Sequence, residues 1–502
     1  VSRPGTPHRR RLRRRVAATI GLTGLSGLLA AVAPAAVAAH QLTGRFSSPI
    51  PLGAYLAGAG LAVGASFAIV FVRGAPPAVS RPSGERAASV PAAVRTGLAG
   101  VGLLAWLWVV VQAVVIGGRS EGDTASLFLW TYGWVGLTLV SAFIGPAWTW
   151  LDPFASLHRL LAATAGRLGL AGGRPAPYPA RLGRWPAVLG FAVFIWLELA
   201  MPGARSGRGL GLVLVAYTVV TLVAMAQFGR ETWRRHGEVF SVWFGLVGRL
   251  APLAVRPDPD RSGGPDGRPE RLRVRRFGAG LLEPGADLAS LTLVALSTAG
   301  ILFDGLSQTQ VYFDLFGIPT LSEQTVLLLG WLALVVALAL AVGRIVGIGP
   351  LVAGLVPIAI GYLIAHYLTF VLFDSQRIVL ALTDPLGLGW DLLRLGEFEP
   401  ATGWLPGSVA WSLQLVAVVS GHVVGAWAGH AVALGDPSGR DGRPAEARVG
   451  AVRARQVPLA LLMVGLTTLT LWSLGQAVVQ SPDATALAGG GTSLRAAVDL
   501  SR

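Results

Sequence analysis

Residues 350–374 read PLVAGLVPIAIGYLIAHYLTFVLFD, and this stretch decides the fold. It carries no charged residue before Asp374, and as a helix rising about 1.5 Å per residue it outreaches the roughly 30 Å of a bilayer's hydrocarbon. A helix so apolar on every face belongs in lipid rather than on the surface of a soluble domain. Nine further stretches of comparable character flank it, at approximately 52–72, 96–116, 126–150, 185–203, 209–228, 286–303, 322–346, 405–434 and 457–480. The whole chain agrees: of 502 residues 53% are hydrophobic and 13% charged, and mean hydropathy is +0.60. The sequence therefore predicts an all-α polytopic transmembrane helix bundle of about ten spans.

The ends of the chain and its loops set the topology. Arg9 to Arg15 precede an apolar run from about Val16 to Val32, and Pro34 to Ala39 supply small residues suited to cleavage. Residues 1–39 read as a signal peptide, so the mature chain would begin near His40 on the outside. The transmembrane domain then occupies 40–481, and 482–502 form an extracytoplasmic tail. Of the 41 basic residues, all arginine, 26 fall in the five loops predicted to be cytoplasmic, 8 in external segments and 7 in the leader. That asymmetry follows the positive-inside rule and predicts a multi-pass protein of the plasma membrane with both mature termini outside. The cytoplasmic arginine clusters are expected to act as topology determinants and to contact anionic lipids. The arginine excess tracks the Ala, Gly and Pro richness of the chain and predicts no nucleic-acid partner.

Composition also removes chemistry. With neither lysine nor cysteine, the chain has no disulfide, thiolate metal site, nucleophilic cysteine, Schiff-base lysine or Walker A loop. Two cytoplasmic segments read as interfacial helices: Phe154 to about Leu168, opened by Asp152-Pro153, and Glu238 to Leu250, with apolar residues at helical spacing. The Pro, Gly, Asp and Arg-rich stretch between Arg256 and Arg276, within the long loop 229–285, reads as disordered. The long outer segment 375–403 holds Trp390 and Phe398 among Asp384, Asp391, Glu397 and Glu399, which predicts structure folded over the outer mouth.

Ionisable residues inside spans carry the functional signal, because each costs a few kcal/mol at the bilayer centre unless partnered. Glu198, His366 and His422 lie within the fourth, eighth and ninth spans, and Asp304 caps the outer end of the sixth. Gly421, Gly425 and Gly429 form a small-residue ridge that invites close approach of another helix beside His422. Each histidine taken alone reads as a hydrogen-bonded bundle residue; taken together the four residues could converge. Two imidazoles with one or two carboxylates suit Zn²⁺ or a similar divalent ion, and a processed His40 could chelate copper through its amine and ring. The same set could relay protons or pass a cation. No HExxH or HxH spacing is present.

Several short segments resemble a family of bacterial multi-span proteins labelled fenitrothion hydrolase. They are Ala39-His40 with Pro49-Ile50-Pro51, Tyr178 to Gly183, Arg235-His236-Gly237-Glu238, Phe303-Asp304-Gly305, Ala365-His366-Tyr367, Asp384 to Gly387 and Gly421-His422-Val423-Val424. The resemblance implies hydrolysis of an organophosphorus ester by a metal-activated hydroxide, with His366 and His422 as ligands and Glu198 or Asp304 as ligand or base. Two readings stand at this point: an outward-facing membrane hydrolase acting on a small-molecule substrate, and a transporter or permease that uses the same residues for proton or ion coupling. A purely scaffolding role is the third.

Overall fold

The computed structural model describes residues 51–73, 87–116, 124–169, 175–201, 207–257, 270–401, 403–435, 454 and 457–476. The leader, His40, the stretch 258–269 and the tail 482–502 lie outside the described residues. Among those described, nine helices are long and apolar enough to cross a membrane. They are α1 (Leu52–Arg73), α2 (Ala92–Ile116), α3 (Thr124–Phe143), α7 (Gly207–Phe228), α10 (Leu288–Ser307), α12 (Leu321–Val346), α13 (Ile348–Phe373), α15 (Gly407–Gly435) and α16 (Val457–Gly475). The expected fourth span is shorter than read: α6 covers Trp185–Leu199, 15 residues or about 22 Å. Its start is set by Pro186 in the first turn, and it stops at Ala200, before Pro202-Gly203.

The centre of the bundle is α10, α13, α15 and α16. The glycines of α15 explain why. A Cβ added at Gly421, Gly425 or Gly429 would lie 2.7, 2.4 or 2.9 Å from the carbonyl oxygens of Pro357, Gly354 and Pro350 on α13. From the other side, a Cβ at Gly361 would lie 2.7 Å from Ala417 O. The two backbones therefore touch for several turns, as small-residue ridges allow. Pro357, which leaves a helix interior one donor short, sits within this contact rather than against lipid.

The short helices come from the loops. Asp152 caps α5 (Pro153–Arg167), accepting from Phe154 N at 2.9 Å and Ala155 N at 3.0 Å, with proline in the first turn as read. Phe154 is buried while Leu160 and Leu161 stay exposed, the face an interfacial helix offers to lipid. Burial pushes the Asp152 carboxyl up to about 6, while the Arg234 guanidinium, 2.8 Å away, draws it down.

The second expected interfacial helix is a core element instead. Helix α9 (Val239–Val247) buries Val239, Val242, Trp243, Phe244, Leu246 and Val247. Val242 and Leu246 make it apolar all round, which is the pattern of a buried helix and not of a surface one. Trp243 packs on Phe191 of α6 and Trp134 of α3 with ring centroids 5.3 and 5.8 Å apart. Trp134 lies in a nine-residue π-helical stretch, Phe128–Gly136, inside α3.

The disordered reading of the long loop is also corrected at its edges. Strands β1 (Ala87–Ser89), β2 (Leu253–Pro257) and β3 (Glu270–Val274) form an antiparallel sheet in the order β1-β3-β2, so the chain is mostly, not wholly, α-helical. Val255 faces Leu272 and Leu253 faces Val274. The alternation Arg271-Leu272-Arg273-Val274 carries that strand signal. At the other end of the bundle, residues 375–401 form turns held by side-chain hydrogen bonds. Asp384 accepts from Leu388 N and Gly389 N, Asp391 from Leu395 N and Gly396 N, and Gln376 brackets Ala401. Trp108 and Gln112 of α2 both donate to Pro385 O, at 2.6 and 2.5 Å, latching the segment down.

The glycine contact makes a clear prediction. Gly425→Ala should lower stability by about 1–3 kcal/mol through overpacking, read as a fall in melting temperature in detergent. Gly465→Ala on α16, where a Cβ meets nothing within 4 Å, should be neutral or gain up to about 1 kcal/mol.

Candidate functional site

Three of the four intramembrane residues meet at the end of the bundle opposite the arginine-rich loops. Helices α6, α10 and α13 all run toward that end, so Glu198, Asp304 and His366 reach similar depths near their C-termini. His366 and Tyr367 are neighbours on α13 and point to different helices, since consecutive helical residues are turned about 100° apart. The His366 Nε2–H donates to Asp304 Oδ2 on α10 at 2.6 Å. The Tyr367 hydroxyl donates to Glu198 Oε1 on α6 at 3.2 Å.

The two pairs form one cluster. The His366 and Tyr367 rings meet edge to face with centroids 4.7 Å apart, and the Tyr367 hydroxyl feels the charges of both Glu198 and Asp304. Gln308, one turn on from Asp304, donates to its other oxygen at 2.9 Å. A contact of 2.6 Å to a carboxylate is in the charge-assisted range, which is among the stronger ways to satisfy a polar pair away from water. The side chain of His366 is 7% exposed and that of Asp304 17%, so the pair is mostly shielded yet still open to solvent on the Asp304 side.

A small residue keeps space beside the imidazole. A Cβ at Gly305 would lie 3.7 Å from His366 Nδ1 and 3.3 Å from Ser473 Oγ of α16. The ring nitrogen not used by Asp304 and the Ser473 hydroxyl thus flank the same point, with room between them for no more than a methyl group. Ser473 Oγ itself donates to Thr470 O at 2.9 Å.

His422 does not join this cluster through any of its hydrogen bonds. Its Nδ1–H donates to Val418 O, one turn back on α15, at 2.8 Å, and Nε2 accepts from Tyr362 OH at 3.4 Å. Tyr362 lies one turn from His366 toward the arginine-rich end, so His422 stacks below the cluster and is fully buried. His430 is buried further along the same helix. Among the described residues no group of three or more His, Asp or Glu side chains is spaced to hold a metal ion. His366 gives Nε2 to Asp304 and His422 gives Nδ1 to Val418, which leaves His366 Nδ1 and, on release of Tyr362, His422 Nε2 as the ring nitrogens that could face a metal ion. His40, the candidate copper ligand, lies outside the described residues.

Tyr367, Gln308 and Ser473 escaped the sequence reading. Tyr367 was legible in principle, because a tyrosine next to an intramembrane histidine has a hydroxyl that must find a partner. Ser473 carried no such signal, since serine bonds its own helix backbone in many spans.

Membership of the cluster can be measured by double-mutant cycles on melting in detergent. Asp304→Asn and His366→Gln should couple by about 1–3 kcal/mol, whereas Asp304→Asn and His422→Gln should add to within about 0.5 kcal/mol. No family model, curated protein or solved structure matches the chain.

Proposed function

We propose that this chain is a multi-pass membrane protein that binds and transfers protons at the Glu198, Tyr367, His366 and Asp304 cluster, in support of small-solute transport. The observation that carries the reading is the 2.6 Å bond between His366 and Asp304, set beside a second acid–hydroxyl pair on a third helix. Adding or removing one proton there changes the charge of a shielded site, where charge is costly unless matched. A proton on His366 is matched by Asp304. Its loss leaves the carboxylate held by Gln308 and the remaining imidazole N–H. Because the partners come from α6, α10 and α13, protonation is tied to how those three helices pack. The arginine distribution supports an orientation with this cluster toward the extracytoplasmic side of the plasma membrane.

A second reading rests on the gap at Gly305. Asp304 holds the imidazole by Nε2 and leaves Nδ1 facing the space that Ser473 also borders, an acid, base and hydroxyl in the order used by hydrolases. In that reading His366 takes a proton from Ser473 or from a water, the oxygen attacks an ester, and Asp304 orients the ring. The resemblance to fenitrothion hydrolases favours an organophosphorus ester as substrate. In this reading the nucleophile is activated by side chains that the described residues bring together.

Proteoliposomes containing a pH-sensitive dye, assayed against a panel of solutes under an imposed potential, separate the two. Proton movement should fall about a hundredfold or more in His366→Gln and Asp304→Asn, the low end for losing a proton-transfer group, and persist in Ser473→Ala and His422→Gln. Hydrolysis of an aryl phosphotriester that is lost in both His366→Gln and Ser473→Ala would support the second reading. A protein that does neither contradicts both.

A further inference from the structure

The arginine-rich end contains a second polar assembly that the proton cluster does not use. A cavity of about 620 Å³ there is lined by Arg184, Arg234, Arg235, Arg249 and Arg275, against Glu231 and Glu283. Three of the guanidiniums are matched: Arg184 lies 3.5 Å from Asp287, Arg234 is 2.8 Å from Asp152, and Arg275 is 3.1 Å from Glu283. Arg235 and Arg249 form no ion pair among the described residues. Arg249 gives one N–H to Pro284 O at 2.9 Å and has others to spare. Burial lowers its pKa, and the neighbouring charges of Arg184 and Arg275 act in the same direction against Glu283 and Asp287. Such a group is poised to gain an anion.

A second cavity, of about 330 Å³, adjoins the first. Its lining is almost wholly apolar, and it shares Trp148 and Phe244 with the arginine cavity. Val101, Ala105 and Val109 form one wall at four-residue intervals on α2, so the slot runs about 12 Å along the helix axis. Rings of α3 and α9 form the opposite side. Val101, 60% exposed on the membrane-facing surface, stands at its edge. The shared wall is rigid: Trp148 Nε1 donates to Glu238 Oε2 and Ser241 Oγ, and its ring packs on Phe244 at 5.3 Å.

A charged cavity with two uncommitted guanidiniums beside an apolar slot that opens toward the hydrocarbon has the shape of a receptor for an amphiphile. We propose that these two cavities bind a membrane lipid with an anionic phosphate headgroup, the phosphate on Arg235 and Arg249 and one acyl chain passing Trp148 into the slot between α2 and α3. Guanidinium forks match phosphate oxygens in geometry as well as charge. A soluble anion would use only the first cavity and leave the slot without purpose. A zwitterionic lipid would bring a choline among arginines.

Trp148 borders both cavities and is the natural reporter. Full-length protein in detergent is titrated with phosphatidylglycerol or phosphatidylcholine carrying brominated chains. The Trp148 signal is taken as the difference between the wild type and Trp148→Phe. Brominated phosphatidylglycerol should quench this component, and the phosphatidylcholine should need about tenfold more. Arg235→Ala, at an exposed position that leaves every ion pair intact, should weaken the phosphatidylglycerol midpoint about five- to tenfold. Ala105→Phe, which fills the slot, should abolish quenching while leaving melting temperature near that of wild type. Equal quenching by both lipids would overturn the proposal in favour of unspecific contact with the bilayer. Full displacement by inorganic phosphate, with Ala105→Phe silent, would overturn it in favour of a free-anion site.

Discussion

The contact between the glycine faces of α13 and α15 is the constraint on which the rest depends. Neither face can accept a Cβ at its closest points without driving it into backbone of the other helix. In a bilayer there is little hydrophobic gain from pairing two apolar helices, so close packing of this kind holds them in register. Helix α13 is thereby fixed along most of its length, and it carries Tyr362, His366 and Tyr367. The direction in which those three side chains leave the helix follows from that register. Tyr362 meets His422 across the glycine contact, while His366 and Tyr367, one turn further on, reach Asp304 and Glu198 on two other helices.

The two ends of the bundle then divide the chemistry. One end holds two acids, an imidazole and a phenol in mostly shielded hydrogen bonds, the shortest between His366 and Asp304. The other concentrates guanidinium groups, matched in part by Asp152, Glu231, Glu283 and Asp287 and otherwise facing a cavity. Between them lies an aromatic layer in which Trp134, Phe191, Phe194 and Trp243 pack with centroids 5.2–5.9 Å apart. Each such pair adds about 0.5–1.5 kcal/mol beyond its buried area, enough to make this layer a stiff spacer rather than a fluid one. The π-helical stretch of α3 contributes Trp134 to that layer and sends Tyr132 to Ser375 O at 2.6 Å, tying the spacer to the segment folded over the far end.

Much of this was legible in the chain because lipid leaves few options. Unbroken apolar runs such as 350–374 give their spans by length alone, and Asp152-Pro153 gave a helix start through the chemistry of its cap. The errors share one cause. Glu238 to Leu250 was read from one stripe of apolar residues and the strand Glu270–Val274 from the polar composition around it, whereas the placement of both was decided by tertiary packing. Val242 and Leu246 turned a supposed surface helix into a core one. For the site, residue type identified Glu198, Asp304 and His366, since an ionisable group inside a span must find a partner. It could not tell that His422 had found its own in Val418 and Tyr362. That distinction depends on rotation about the axis of α15, which composition does not encode.

His366 and Asp304, from separate spans, share one hydrogen bond within a single acid–base cluster. Solid-state NMR on reconstituted protein with labelled histidine and aspartate reads that bond directly, and seven histidines keep assignment tractable. A correlation between His366 Nε2 and the Asp304 carboxyl carbon should appear, and should vanish in Asp304→Asn while the His422 resonances stay in place. A His366 ring that correlates with no carboxylate, or with one other than Asp304, would contradict it.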